Sequence, residues 1–320
     1  MASMRLTREM RLSTLSLILV VLIGCVFWMS FTPTAQAAPG ANTVLLGVYV
    51  LNVGEIDLRT GSYTIDFYLS MRCPTAACNF GSFEFMNGRA SSISLEENTT
   101  TEKFWRVQAN LYENLDLHQY PFDSHTLLIQ IEDQSLTRQD LTYQPDPTYG
   151  GVDPSIVVVG WSVAGWGQSV VNHYYQVYNE TYSRYVFSLT LDREPTSAVA
   201  IFIPVLLLTF IALMATLMYG DVSSVFENRI LLSASLLIAA VLFQFSLDSS
   251  LPPLGYLTFA DWFMITTYFV MAGGLVSGIL VLNYHHRRDA AKLKKIHYYT
   301  TRLLPLLTVI LYLLVFLLLA

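Results

Sequence analysis

The sequence predicts a β + α membrane protein: an exported β-sandwich followed by a four-helix transmembrane bundle. Three observations point there. The chain is 53% hydrophobic and only 13% charged over 320 residues, with a mean hydropathy of +0.45, which is too apolar for a soluble fold. Short alternating segments fill the N-terminal half, and four long apolar runs follow Arg193. The formal charge of −6, without a basic stretch interleaved with aromatics, argues against nucleic acid as a partner.

The first element reads as a signal peptide over 1–37. Arg5, Arg8 and Arg11 precede an apolar run from Leu15 to Phe31, and Ala35-Gln36-Ala37 ends it with small residues, so cleavage is expected after Ala37. A retained anchor and lipidation at Cys25 are the alternatives. Once the signal is removed, Cys73 and Cys78 are the remaining cysteines. In an exported segment a short-loop disulfide is the natural reading, and no further ligands nearby suggest a metal site.

The second element, 38–193, is expected to be the sandwich. Val44–Leu51, Ser62–Leu69, Thr126–Ile131, Ser155–Val159, Tyr174–Tyr178 and Tyr185–Leu191 are rich in β-branched and aromatic residues. Turn signals such as Arg59-Thr60-Gly61 and Gln144-Pro145-Asp146-Pro147 separate them.

The third element, 194–320, holds the apolar runs Ala198–Met218, Ile230–Leu247, Leu257–Leu282 and Leu303–Ala320. Each suffices to cross about 30 Å of hydrocarbon, giving spans near 198–219, 228–248, 257–283 and 303–320. Arg287, Arg288, Lys292, Lys294 and Lys295 mark the third connection as cytoplasmic by the positive-inside rule, since Ser249–Tyr256 carries no Lys or Arg. The β-domain then lies on the periplasmic or extracellular side of the inner membrane.

The second span differs from the others. Ser233, Ser235, Gln244 and Ser246 lie within it, and acids bracket it. At 100° per residue, Glu227, Leu231, Ser235, Ile238, Leu242, Phe245 and Ser249 form one stripe, with Asp248 beside its outer end. The stripe is about 33 Å long at about 1.5 Å per residue. A packing seam is the plain reading of such a face. A carboxylate at the inner mouth below apolar rings is what a gated cation pore requires, and a pore of single helices requires a cyclic oligomer. Arg229 falls on the opposite side, free to snorkel or to pair with a neighbouring helix.

Beyond these patterns, the run Asn114-Leu115-Asp116-Leu117-His118-Gln119-Tyr120-Pro121-Phe122-Asp123 resembles the signature loop of the pentameric ligand-gated ion channels, the Cys-loop receptor superfamily, in their prokaryotic form without flanking cysteines. Arg193 before the first span, Pro204 within it, Glu227-Asn228-Arg229 and Leu251-Pro252-Pro253-Leu254-Gly255-Tyr256 match in the same order. The resemblance implies a homopentamer in a lipid bilayer, conducting monovalent cations, with Glu227, Leu231, Ser235, Ile238, Leu242, Phe245 and Ser249 lining the pore. It also implies a gating interface of Asp57, Tyr120, Pro121, Phe122, Asp123, Arg193, Pro252 and Pro253, in which Asp57, Asp123 and Arg193 form a charge-assisted cluster.

An agonist site is harder to read. Phe83, Phe85, Tyr174, Tyr175, Tyr178, Tyr182 and Tyr185 are the candidate aromatics for a small-molecule ammonium ligand. Protons acting at His118, His125 or clustered carboxylates are the other candidate stimulus. No cofactor is implied. Gly160-Trp161-Ser162 is not a nucleophile elbow and no phosphate-binding glycine loop appears, so an enzyme is not predicted. A membrane-anchored sensor module without a pore is the competing class.

Overall fold

In a sheet with one buried face, every second side chain tends to be apolar, and the central strands of the N-terminal half obey this rule. The computed structural model describes residues 42–74, 78–220 and 222–319. The signal segment expected over 1–37, with Ala37 and Cys25, lies outside them.

Ten strands follow in order: β1 (Asn42–Asp57), β2 (Ser62–Arg72), β3 (Phe83–Phe85), β4 (Gly88–Asn98), β5 (Glu102–Tyr112), β6 (Ser124–Asp133), β7 (Leu141–Pro145), β8 (Gly151–Val152), β9 (Trp161–Tyr175) and β10 (Glu180–Arg193). One sheet runs β4-β5-β2-β1-β7, with β8 also on β1, and the other runs β3-β6-β10-β9. Pairings are antiparallel except β7 and β8 on β1. Val44, Leu46, Val48 and Val50 of β1, Phe67 and Leu69 of β2, Ile129 and Ile131 of β6, and Phe187 and Leu189 of β10 meet in one core between the sheets. Burying such side chains contributes about 1.5–3 kcal/mol each. Cys73 and Cys78 form a disulfide with 5.8 Å between their Cα atoms.

Two expected strands are corrected. Ser155–Val159 is a turn whose only strand-like pairing is an isolated bridge from Val158 to Trp161. Asp153 Oδ1 accepts from the Ser155 amide at 2.8 Å and hydroxyl at 2.6 Å, closing a side-chain turn that outcompetes strand propensity. Gly160 then turns the chain at φ +82°, a conformation a side chain disfavours. The expected strand at Tyr174–Tyr178 stops at Tyr175, because residues 176–179 make the hairpin with Asn179 at φ 56°.

Buried charge braces the sandwich. Asp146 is fully buried and accepts from Arg72 Nε at 2.8 Å, Arg72 Nη2 at 2.5 Å and the Thr148 amide at 2.9 Å. Asp146→Ala therefore leaves the guanidinium and the amide unmatched. A loss of about 2–4 kcal/mol is expected, measured as a fall in the thermal midpoint of the purified protein.

Among the described residues, four helices are long and apolar enough to cross a membrane: α1 (Pro195–Ala215), α2 (Ser223–Asp248), α3 (Phe259–His286) and α4 (Ala290–Leu319). Pro195 opens α1, where a missing amide costs nothing. α3 begins with a reciprocal capping box, Thr258 Oγ1 accepting from the Asp261 amide and Asp261 Oδ2 from the Thr258 amide. Tyr312 of α4 stacks on Phe263 of α3 at 4.3 Å, and its hydroxyl lies 3.0 Å from Thr209 Oγ1 of α1 and 2.8 Å from Thr267 Oγ1 of α3.

The third connection is also corrected. Hydropathy suggests a loop from about His285 to Arg302, but α3 and α4 are separated only by Arg287–Asp289. Lys292, Lys294 and Lys295 sit on the first turns of α4, where Asp289 Oδ1 accepts from the Lys292 amide at 3.1 Å.

Candidate functional site

A helix inside a bundle hides one face and leaves the rest for other partners, so exposure along α2 reports its job. Its hidden face is Phe226, Arg229, Ser233, Leu236 and Ala240. All seven stripe residues are exposed: Glu227, Leu231, Ser235, Ile238, Leu242, Phe245 and Ser249. Leu231, Ile238, Leu242 and Phe245 are 63–75% exposed, above the flanking Leu232 at 37% and Val241 at 52%. Asp248 is exposed at the end nearer the β-domain. Within this protomer the stripe is therefore no packing seam. Exposed apolar residues alone do not set α2 apart, since Ile203 of α1 and Leu317 of α4 are 58% and 79% exposed and lipid can cover such faces; what does is the presence of Glu227, Ser235 and Ser249 on the same exposed stripe.

Polar groups in α2 find partners on α2 itself and on α3. Ser235 Oγ donates to the Leu231 carbonyl at 2.9 Å, the usual back-bond of a hydroxyl on a helix. Gln244 Oε1 accepts from the Tyr268 hydroxyl of α3 at 2.5 Å. Arg229 does not snorkel: its guanidinium is fully buried and donates from Nη2 to Ser277 Oγ of α3 at 2.6 Å.

The second constellation lies where the sandwich meets the helices. The segment 114–124 is seated on the α2–α3 connection and on the start of α3. The amide of Leu117 donates to the Tyr256 hydroxyl at 3.0 Å, and the His118 ring stacks on the Tyr256 ring at 3.7 Å. The amides of Phe259 and Ala260 donate to the carbonyls of His118 and Tyr120 at 2.8 and 3.1 Å. Phe122 wedges against Phe202 of α1, Phe259 of α3 and Phe316 of α4, at ring separations of 6.0, 5.3 and 5.9 Å. Tyr120 and Pro121 are buried there, joined by a cis peptide bond.

Asp123, one residue on, is almost fully buried. Its Oδ1 accepts from Arg193 Nε at 2.6 Å, and its Oδ2 accepts from Arg193 Nη2 at 3.0 Å and lies 2.6 Å from His125 Nε2. The Arg193 guanidinium sits 4.2 Å over the Trp161 ring and 5.2 Å over the Tyr120 ring. Burial alone pushes the Asp123 carboxyl up, but the His125 and Arg193 hydrogen bonds and the guanidinium charge outweigh it and hold the group at about 2. Arg193 ends β10 two residues before α1 begins, so this pair ties the signature-like segment to the first membrane helix.

Asp57 is not part of that cluster, contrary to the sequence-based expectation. Its carboxylate accepts from the Arg59 amide at 2.8 Å and the Thr60 hydroxyl at 2.7 Å, so it closes its own β1–β2 turn. The same turn nevertheless reaches the junction. Arg59 lines a cavity of about 530 Å³ together with Asp248, Pro252, Pro253, Tyr256 and Asp261. Sequence reasoning had no signal for Arg59 or Asp261, because their meeting depends on how the two halves dock.

The candidate aromatics separate into four groups. Tyr185 is fully buried, with its hydroxyl on Gln168 Oε1 at 2.9 Å, and cannot touch a ligand from solution; that expectation is corrected. Phe83 and Phe85 pack in the sandwich, against Trp105 at 5.2 Å and Phe67 at 5.9 Å. Tyr175, Tyr178 and Tyr182 cluster at the β9–β10 hairpin, with Tyr175 5.6 Å from Tyr182 and 6.4 Å from Tyr178. Tyr174 is exposed and donates to Asn179 Oδ1 at 3.0 Å. Beneath the cluster lies a pair that no sequence pattern signals: Arg184 Nε donates to Glu132 Oε1 at 2.6 Å, and the Tyr175 hydroxyl donates to Glu132 Oε2 at 2.9 Å.

A sandwich of two sheets whose last strand runs into four membrane-length helices is the architecture of the pentameric ligand-gated channels. No family model matches the sequence. Among curated proteins the chain is similar to a proton-gated ion channel of Gloeobacter violaceus, with 22% identity over 269 residues, covering 75% of this chain and 74% of that protein. That relative is a channel and not an enzyme.

Proposed function

We propose that the chain is one subunit of a homopentameric, ligand-gated, cation-selective channel in the inner membrane, with the β-domain on the periplasmic side and α2 lining the pore. The observation that carries this reading is the uncovered α2 stripe. Its membership matches the pore positions that the family resemblance implies, and its order suits a gated cation path, with Glu227 at the inner mouth, Leu231 and Ser235 above it, then Ile238, Leu242 and Phe245, then Ser249. A ring of Glu227 carboxylates attracts cations and repels anions, while apolar rings close the path by excluding water. The likeness to a channel over three quarters of the chain supports the same class.

Gating in this reading is transmitted through the junction, where segment 114–124, the Arg193 end of β10 and the Pro252-Pro253 connection touch. The test of the selectivity assignment is Glu227→Gln. In bilayers with a salt gradient, the variant shifts the reversal potential toward the anion side and lowers the cation-over-anion permeability ratio several-fold. An unchanged reversal potential removes Glu227 from that role.

A further inference from the structure

The junction buries one histidine, the kind of side chain that ordinarily changes its charge between pH 5 and 8. The His125 side chain is 2% exposed and its Nε2 lies 2.6 Å from Asp123 Oδ2. It is the second residue of β6, opposite Leu191 in the β6–β10 register, and its ring is 5.2 Å from Trp161 at the start of β9. We infer that His125 is a proton-binding site that sets the gating of this channel, through competition with Arg193 for the Asp123 carboxylate. This rests on the channel reading above.

The competition follows from the hydrogen bonds. With His125 neutral, Nε2–H donates to Asp123 Oδ2 and the buried charges are one carboxylate and one guanidinium, which balance. Adding a proton puts a second cation on the same carboxylate, and the enclosed site carries a net positive charge. Asp123 cannot relieve this by taking the proton itself, because its carboxyl is held at about 2. The pressure falls on Arg193, which has other attractions within reach, the faces of Trp161 and Tyr120 at 4.2 and 5.2 Å. When Arg193 slackens its hold, the end of β10 is released from the segment that carries Phe122 into the bundle. Acid therefore loosens the tie between the sandwich and α1.

Of the other charges near the ring, Asp116 feels the His125 charge, but as the smallest influence on a carboxyl that is exposed and already holds His118 Nδ1 at 2.5 Å. Asp192, beside Leu191 on β10, is exposed, and Glu194 follows Arg193 at the entry to α1. Trp161 on β9 and Tyr120 bring rings, not charges, with the Tyr120 hydroxyl pushed up by burial and so neutral throughout. The added proton therefore stays on His125, with the Asp123 carboxylate as its nearest counter-charge.

The test uses the full chain in bilayers, with pH steps applied from the β-domain side. Wild type is expected to pass more current as the β-domain side is acidified, and His125→Gln to need a lower pH for half-activation. Substituting all histidines by the less basic fluorohistidine, which keeps the shape, is expected to move the midpoint the same way, and covers the case in which His125→Gln does not assemble. An unmoved midpoint in both, or a shift produced only by His118→Gln, overturns the inference. A separate readout isolates the underlying reading. If Ile238→Ser pentamers carry current while wild type shows no response to pH, the channel stands and the His125 inference fails. If neither carries current under any condition, the channel reading fails.

Discussion

Ile238→Ser channels are expected to conduct without stimulus and to activate at least tenfold more readily than wild type. The side chain is 63% exposed on the free face of α2, between Leu242 and Ser235 on the same stripe. In the proposed pentamer, five copies facing one axis would enclose a short apolar constriction, and liquid water leaves such a constriction because it loses hydrogen bonds there. Withdrawing one isoleucine side chain from water is worth about 1.5–3 kcal/mol. Removing that preference from each of five subunits far exceeds the roughly 1.4 kcal/mol of a tenfold change. Single-channel recording reads the outcome as open probability at rest. Gating indistinguishable from wild type places the closure at Leu242 or Phe245 instead.

The second large effect is at Asp123. Asp123→Asn keeps the shape but leaves Arg193, whose side chain is 11% exposed, without its carboxylate. Breaking a buried pair from one side costs about 3–5 kcal/mol, because the remaining charge stays unmatched. Pentamers that assemble are expected to lack the tie that acid loosens, and so to pass current at neutral pH and to respond little to further acidification of the β-domain side. The carboxyl is held at about 2 against an ordinary value of about 3.9 in the unfolded chain. Its contribution is therefore complete above about pH 4 and is lost as pH falls toward 2. Thermal unfolding of wild type against Asp123→Asn at pH 7 and pH 3 checks this: the gap between the two midpoints narrows in acid.

How much of this was legible in the sequence depends on how local each cause is. The α2 stripe was readable because a helical period of 3.6 is a property of the segment alone, and all seven residues emerge on the exposed face. β1, β2, β6 and β10 were readable by alternation. That alternation also runs back from Leu191, Leu189 and Phe187 to Tyr185, which shares their buried face and so could have been placed in the core. Ser155–Val159 was misread because side-chain turns from Asp153 compete locally with strand propensity. β4 was invisible because an edge strand with mostly exposed residues carries no apolar alternation. The beginning of α4 was hidden for a similar reason: Lys292, Lys294 and Lys295 lower the hydropathy without breaking the helix. The Arg184–Glu132 pair and the cavity shared by Arg59 and Asp261 arise from register and docking, which no window of one sequence contains.

The back-bond of Ser235 bears on what an ion meets inside such a ring. The hydroxyl hydrogen is committed to the Leu231 carbonyl, so the oxygen turns its lone pairs outward from the helix. A passing solute then finds an electron-rich collar with no proton to offer. Sodium or potassium can exchange part of its water shell for that collar, whereas chloride, which needs donors, gains nothing from it. If the stripe lines a pore as proposed, selection by sign would be written twice along it, once as the full charge of Glu227 and once, two helical turns above, as the direction in which a neutral hydroxyl points.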